Sequence, residues 1–164
     1  MDLDEIIAVV DSWDGVLTLR PGPGDGTPEI AWGDVFFYHA PDGEVPTSQP
    51  FATVVTKDYP DEPAWHHGRP GRFRVNVAAG SEEFRRWTGA GAPDPGRAPG
   101  GPEEADVITA HPTYGSLGWL CVVDPGPRTG PAIRDLLRTA YELARQRHQR
   151  RAGTRADAGD DPAS

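Results

Sequence analysis

Sulfur, lysine and long apolar runs are what this chain has least of. Its 164 residues include one cysteine and one methionine. A lone cysteine, Cys121, admits no intrachain disulfide, so the fold must rest on its own core and the cytoplasm is the expected compartment. No apolar run approaches the ~20 residues that span a bilayer. Met1-Asp2-Leu3-Asp4-Glu5 is acidic where a secretory leader would be basic. Lys57 is the only lysine, so nearly every cation is an arginine. The wealth of Ala, Gly and Pro that accompanies this bias points to a GC-rich coding sequence rather than to arginine chemistry.

Familiar catalytic spacings are missing too. No His-x3-His or Cys-x2-Cys pattern occurs, and adjacent His66 and His67 in an extended segment would point opposite ways. With Asp58, Asp61 and Glu62 they read as solvated loop residues, and no metal site is expected. Gly22-Pro23-Gly24-Asp25-Gly26 lacks a following helix, and Gly126-Pro127-Arg128-Thr129-Gly130 lacks the Gly-Lys-Ser/Thr ending. Prolines remove amide donors where a phosphate cradle needs them. Nucleotide binding through either loop is therefore excluded, and no cofactor is called for.

What is present suits one compact domain over residues 1–150. Hydrophobic residues make up 37% of the chain, and 20 glycines and 18 prolines announce long loops. Flexible insertions are expected near 21–30 and 89–104, and a disordered tail over 151–164. The net charge of -9 is unevenly placed. Residues 1–65 carry 13 Asp/Glu against 2 Lys/Arg, whereas residues 66–151 carry 9 against 13. An acidic whole opposes indiscriminate binding to polyanions, while the basic second half leaves room for a localised anionic partner.

Leu3, Ile6, Ile7 and Val10 share one helix face, with Asp2 and Glu5 at capping-box spacing. Short strands are expected over 16–20, 33–39 and 51–56. Over 72–77 the chain alternates, with Phe73, Val75 and Val77 on one face and Arg72, Arg74 and Asn76 on the other. That is a half-buried strand whose polar face meets solvent or a ligand. Ser81 is placed to cap a helix through Trp87. Residues 107–110 read as a short strand or an extended link. The run 119–123 is apolar throughout, as in a strand covered on both faces. Pro131 suits the first turn of a last helix whose stripe is Ile133, Leu136, Leu137, Ala140, Tyr141 and Ala144. The expected fold is α+β: a mainly antiparallel sheet of about five strands with N- and C-terminal helices packed on one face. Trp119, Val122, Phe73, Val75, Leu136 and Tyr141 should share its core.

Phe73-Arg74-Val75-Asn76-Val77, His111-Pro112-Thr113-Tyr114-Gly115, Trp119-Leu120-Cys121-Val122 and Ala140-Tyr141-Glu142-Leu143-Ala144 together resemble an uncharacterised bacterial domain family common in actinobacteria. The resemblance runs from the first helix to about Arg150. More remotely, strand 119–123 and a final helix bearing Tyr141-x-Leu143 are similar to the MmcQ/YjbR group. That likeness implies a small α+β protein that binds DNA. Trp65-His66-His67 matches no pattern of the nearer family, so no role for those histidines is implied.

Three functional readings follow. His111 is suited to proton transfer near neutral pH, with Tyr114 and Asp124 near enough in sequence to orient it. A small hydrolase or transferase would use His111 and Tyr114. Set against it, His111-Pro112 opens a tight turn, Gly115 and Gly118 supply permissive dihedrals, and no nucleophile stands at a known spacing. No catalytic residue is assigned on that basis. Cys121, mid-strand among apolar neighbours, reads as a buried hydrophobe. Nucleic-acid binding would use Arg134, Arg138 and Arg145 of the last helix, along which Arg147, Arg150 and Arg151 also lie. Pairs such as Arg138–Glu142 and Glu142–Arg145 offer a solvated face instead. The favoured reading is a non-enzymatic binding module for a protein or small ligand, with Arg72, Arg74, Asn76, His111 and Tyr114 as its site. If His111 and Tyr114 converge with Arg74 or Asn76 in a concavity, a ligand or enzyme site is favoured over a simple turn.

Overall fold

The computed structural model describes residues 1–89 and 104–159. Among these, six strands form one antiparallel sheet ordered β1-β2-β3-β4-β6-β5. They are β1 (Val16–Leu19), β2 (Val35–His39), β3 (Ala52–Val55), β4 (Arg74–Val77), β5 (Ile108–Ala110) and β6 (Leu120–Val123). Three helices accompany them: α1 (Leu3–Asp11), α2 (Gly80–Thr88) and α3 (Gly130–Gly159). The ambiguous segment 107–110 is thus a true edge strand. It pairs with β6 through Ile108–Val122, Thr109–Cys121 and Ala110–Leu120.

Period-two alternation gives the sheet two unlike faces. Val35, Val54, Val75, Val122 and Ile108 lie opposite one another across five strands. This row, with Phe37, Ala52, Val77 and Leu120, is buried against Ile6 and Val10 of α1 and Ile133, Leu136, Leu137 and Ala140 of α3. Phe84 and Trp87 of α2 pack at its margin. The Asp2 carboxylate caps α1 by accepting the Glu5 N–H at 2.8 Å. Tyr141 buries its ring in the core and donates its hydroxyl to the Asp14 carbonyl at 2.5 Å, tying α3 to the end of α1.

Some expectations need correcting. Trp119 is buried but stands outside the helix-covered core, because alternation puts it opposite Leu120 on the other face. Ser81 lies inside α2, whose N-cap is Ala79 with no side-chain cap bond. Of the two glycines in the 111–118 turn, only Gly118 adopts positive φ, at 88°. The helix α3 is described as far as Gly159, and the rest of the tail expected over 151–164, residues 160–164, lies outside the described residues. The insertion at 21–30 closes on Asp25, whose carboxylate accepts the Gly22 and Thr27 amides. The one at 89–104 falls almost wholly outside the described residues.

A core of this kind has a direct test. Leu137→Ala should cost about 2–5 kcal/mol in urea unfolding, since its side chain is fully enclosed by α1 and the sheet. Leu117→Ala, at a position 68% exposed, should stay within about 0.5 kcal/mol of the parent.

Candidate functional site

The other face of the sheet carries a second row: Phe36, Thr53, Asn76, Cys121 and Thr109, with Arg74 one step away between Val55 and Val123. An antiparallel sheet commonly leaves such a face to water. Here Arg74 and Asn76 are only 2% and 3% exposed, so the expected solvent-facing row is covered. The cover is the segment between β3 and β4. Aspartates hold it down by accepting backbone N–H groups. Asp58 accepts the amides of Trp65, His66 and His67 at 2.8, 2.9 and 3.0 Å. Burial works to raise the Asp58 pKa, but these three bonds outweigh it and hold the carboxyl below its ordinary range. Buried Asp34 takes the Thr56 amide, the Lys57 ammonium at 2.9 Å and the Tyr59 hydroxyl. The chain's single lysine thus closes the base of the cover.

Inside it, Arg74 is the hub. Nη2 donates to Glu62 Oε2 at 2.8 Å and Nε donates to Asn76 Oδ1 at 2.9 Å. Asn76 passes the link to Thr53 through Nδ2 at 2.9 Å. The guanidinium carbon lies 5.3 Å from the Trp65 ring centroid, a cation–π contact with a fully buried indole. Arg74 Nη1 finds no hydrogen-bond partner within the described residues. Glu62 also accepts the Thr113 hydroxyl at 3.2 Å, which draws the turn after β5 to the same carboxylate.

Alternation places His111 beyond Thr109, on the Arg74 face. Its Nδ1 accepts both the Thr113 and Tyr114 amides at 3.0 Å, so the neutral ring carries its proton on Nε2. Nε2 lies 3.2 Å from Arg74 Nη2 and 3.8 Å from Glu62 Oε1. Since Nε2 and the guanidinium both bear hydrogens, only the carboxylate can accept there. Burial, then the Arg74 charge, drives the His111 pKa down to about 4, with Glu62 partly opposing. Tyr114 packs its ring 4.9 Å from that of His111 and is 43% exposed. His111 therefore builds the turn and also looks into the site.

These groups floor a concavity of about 450 Å³, within the usual range of small-molecule sites. Its walls are chiefly aromatic and aliphatic: Phe36, Tyr38, Tyr59, Tyr114 and Trp119, with Ile30 at the rim. Of the residues named from sequence, Arg74, Asn76, His111 and Tyr114 all line it. Arg72 does not. It is buried beside Asp124, Nε to Oδ2 3.7 Å. Glu62, Thr53, Tyr38 and Trp119 are members that sequence reading misses. The available signal was the presence of Tyr59 and Trp65 in a polar, proline-broken loop, where such large rings must cover something.

The remaining candidates lie elsewhere. Arg138 and Arg145 both bind Glu142, at 2.8 and 3.1 Å, and Arg138 also stacks near Trp13 and Tyr141. Arg134 is exposed on the first turns of α3. Burial raises the Cys121 thiol pKa, and the thiol contacts Thr109 Oγ1 at 3.5 Å. His66 and His67 are ordered by their backbone amides on Asp58. Among the described residues, no group of three or more His, Cys, Asp or Glu converges as metal ligands would. No helix among them is long and apolar enough to cross a membrane.

Fold and site together define a small α+β protein with a ligand-sized, aromatic-walled concavity on the helix-free face of its sheet. The chain belongs to a family of unknown function (DUF6194), whose sequence profile matches residues 1–153. No curated protein and no solved structure matches it.

Protonation of His111 should be felt by the fold. A histidine whose folded pKa lies below its unfolded value of about 6.5 contributes stability above that pH and loses it as the pH falls toward the folded value. Urea unfolding should therefore weaken between about pH 7 and about pH 5, where most carboxylates are still charged. His111→Asn, whose Oδ1 can accept the same two amides, should flatten that dependence. An unchanged slope would assign it to other groups.

Proposed function

We propose that this chain is a non-enzymatic binding protein for a small, largely apolar or aromatic ligand held over Arg74. The observation that carries the reading is the polar floor itself. A buried Arg–Glu pair linked to Asn76, Thr53 and His111 is expensive to desolvate, and apolar side chains on the same sheet face would serve stability at least as well. Polar groups grouped at the base of an apolar cavity are what orients a ligand. Arg74 and Glu62 cancel in charge, and His111 is neutral near pH 7, so the floor suits a neutral acceptor or donor group rather than a bare ion.

Catalysis through His111 and Tyr114 draws less support. Nδ1 is occupied by the turn, and Nε2 faces a guanidinium and a carboxylate rather than a nucleophile. DNA binding of the MmcQ/YjbR kind, through Arg134, Arg138 and Arg145, draws less support as well, because two of these already share Glu142.

Stability and binding separate the alternatives. Arg74→Met alone leaves Glu62 unpaired and should destabilise by about 3–5 kcal/mol, whereas Arg74→Met with Glu62→Leu should recover most of that loss. The double variant should fold yet lose affinity for compounds that stabilise the parent. Such compounds should emerge from a thermal-shift screen of small aromatic and aliphatic molecules, a ligand at 100-fold its Kd adding about 2.7 kcal/mol. Ala31→Phe, which fills the rim, should abolish their effect. Shifts that persist in Ala31→Phe, or no stabilising compound at all, would defeat the proposal.

A further inference from the structure

The concavity does not end at its own rim. Tyr38, Gln49, Pro50 and Trp119 are also walls of an adjoining recess of about 390 Å³ that reaches α3. Among the described residues, the charged ones lining that recess are Arg147 and Arg151, one turn apart, with His39 beside them and no carboxylate. Glu142, the acid nearest to Arg147 along the helix, is already held by Arg138 and Arg145. Burial, and then repulsion from Arg151 and Arg150, lowers the Arg147 pKa, which marks a crowded cationic spot. Arg151 and His39 also line the next recess, where Asp42 and Glu44 appear, so the cationic stretch is bounded at Arg151.

We infer that the ligand is an elongated amphiphile whose apolar or aromatic body fills the concavity over Arg74 and whose anionic end, a carboxylate or phosphate, lies between Arg147 and Arg151. The inference rests on the binding-protein reading and adds the ligand's charge, its polarity and its direction. The floor is neutral as a pair, so it gives an anion no net attraction. The recess beyond Trp119 offers two guanidinium groups, each able to bind an oxyanion with two parallel hydrogen bonds. A molecule short enough to stay within the first cavity gains nothing from them. A longer one that follows the shared wall reaches both.

A graded probe series tests this: ω-phenylalkyl carboxylates of increasing chain length, each compared with the alcohol of the same length. Binding is read by calorimetry. The acid should bind no better than the alcohol at short lengths and about tenfold better once the chain spans the wall. Arg147→Gln with Arg151→Gln should remove that tenfold preference and leave the alcohols unchanged, while Ala31→Phe should weaken acids and alcohols alike. Acids and alcohols binding equally at every length, or an acid preference that survives the double arginine variant, would overturn the inference. In either case sensitivity to Ala31→Phe would leave the binding-protein reading standing. Binding of neither series, or binding indifferent to Ala31→Phe, would remove both.

Discussion

A guanidinium in the middle of a sheet face sets the terms for half of this molecule. Arg74 belongs to a central strand, with β3 on one side and β6 on the other. Leaving its charge dry and unpaired would cost several kcal/mol, on the order of the net stability of a domain this size. Each feature of the helix-free face answers that demand. Glu62 supplies the counter-charge, Asn76 and Thr53 carry the hydrogen bonds across two strands, and Trp65 lends a ring face. To bring Glu62 and Trp65 there, the whole connection between β3 and β4 must fold over the sheet. The cavity is the space that cover leaves open, lined by its Tyr59 and Glu62 together with Phe36 and Tyr38 of β2 and with Tyr114 and Trp119.

Aspartates make such a cover feasible in a chain rich in glycine and proline. A loop without ladder partners still needs its amides satisfied, and a carboxylate can serve several at once. Asp58 takes three amides in succession. Asp106, at positive φ, takes those of Gly126, Arg128 and Thr129 and so shapes the entry to α3. Asp34 gathers a backbone amide, an ammonium and a phenol. The acidic bias of the first half of the sequence is therefore only partly a matter of surface charge. Two of these three anchors, Asp34 and Asp58, come from it, as does Glu62.

The fold was legible wherever periodicity alone decides an element. Capping by Asp2, the stripe of α3 and the alternation of residues 73–77 all depend on neighbours within one or two turns, and the structure follows them. Alternation also put Arg74 and Asn76 on one face, and the His-Pro turn marked His111 and Tyr114, so four residues of the cavity were visible beforehand. The character of that face was not. Whether a polar row meets water or a loop depends on where 57–71 goes, and that is fixed by side-chain-to-backbone bonds such as Asp58 to Trp65, which leave no period in the sequence. Arg72 lies outside the cavity lining for a related reason. It shares the parity of Arg74 but lies just before β4, where Asp124 takes it. From sequence Trp119 reads as core, because apolar runs look alike whether they face helices or a cavity.

The division of charge along the chain also changes meaning in three dimensions. A negative first half and a positive second half suggest a dipolar molecule, and the strand order keeps β1–β3 on one side of the sheet and β4–β6 on the other, but the connection from β3 to β4 folds one half onto the other. Glu62 meets Arg74 across the cover, and the site floor is neutral because each half contributes one charge. A local cationic spot lies toward the far end of α3, where Arg147 and Arg151 line a recess to which no carboxylate among the described residues contributes. A neutral floor and a positive exit, joined by the wall of Tyr38 and Trp119, form a gradient along the length of the cavity rather than a charged pit. Such a gradient discriminates by the length and orientation of a guest. On the proposed reading, the buried pair beneath holds the body of the guest in register while adding no net field of its own, and selectivity for charge rests with Arg147 and Arg151.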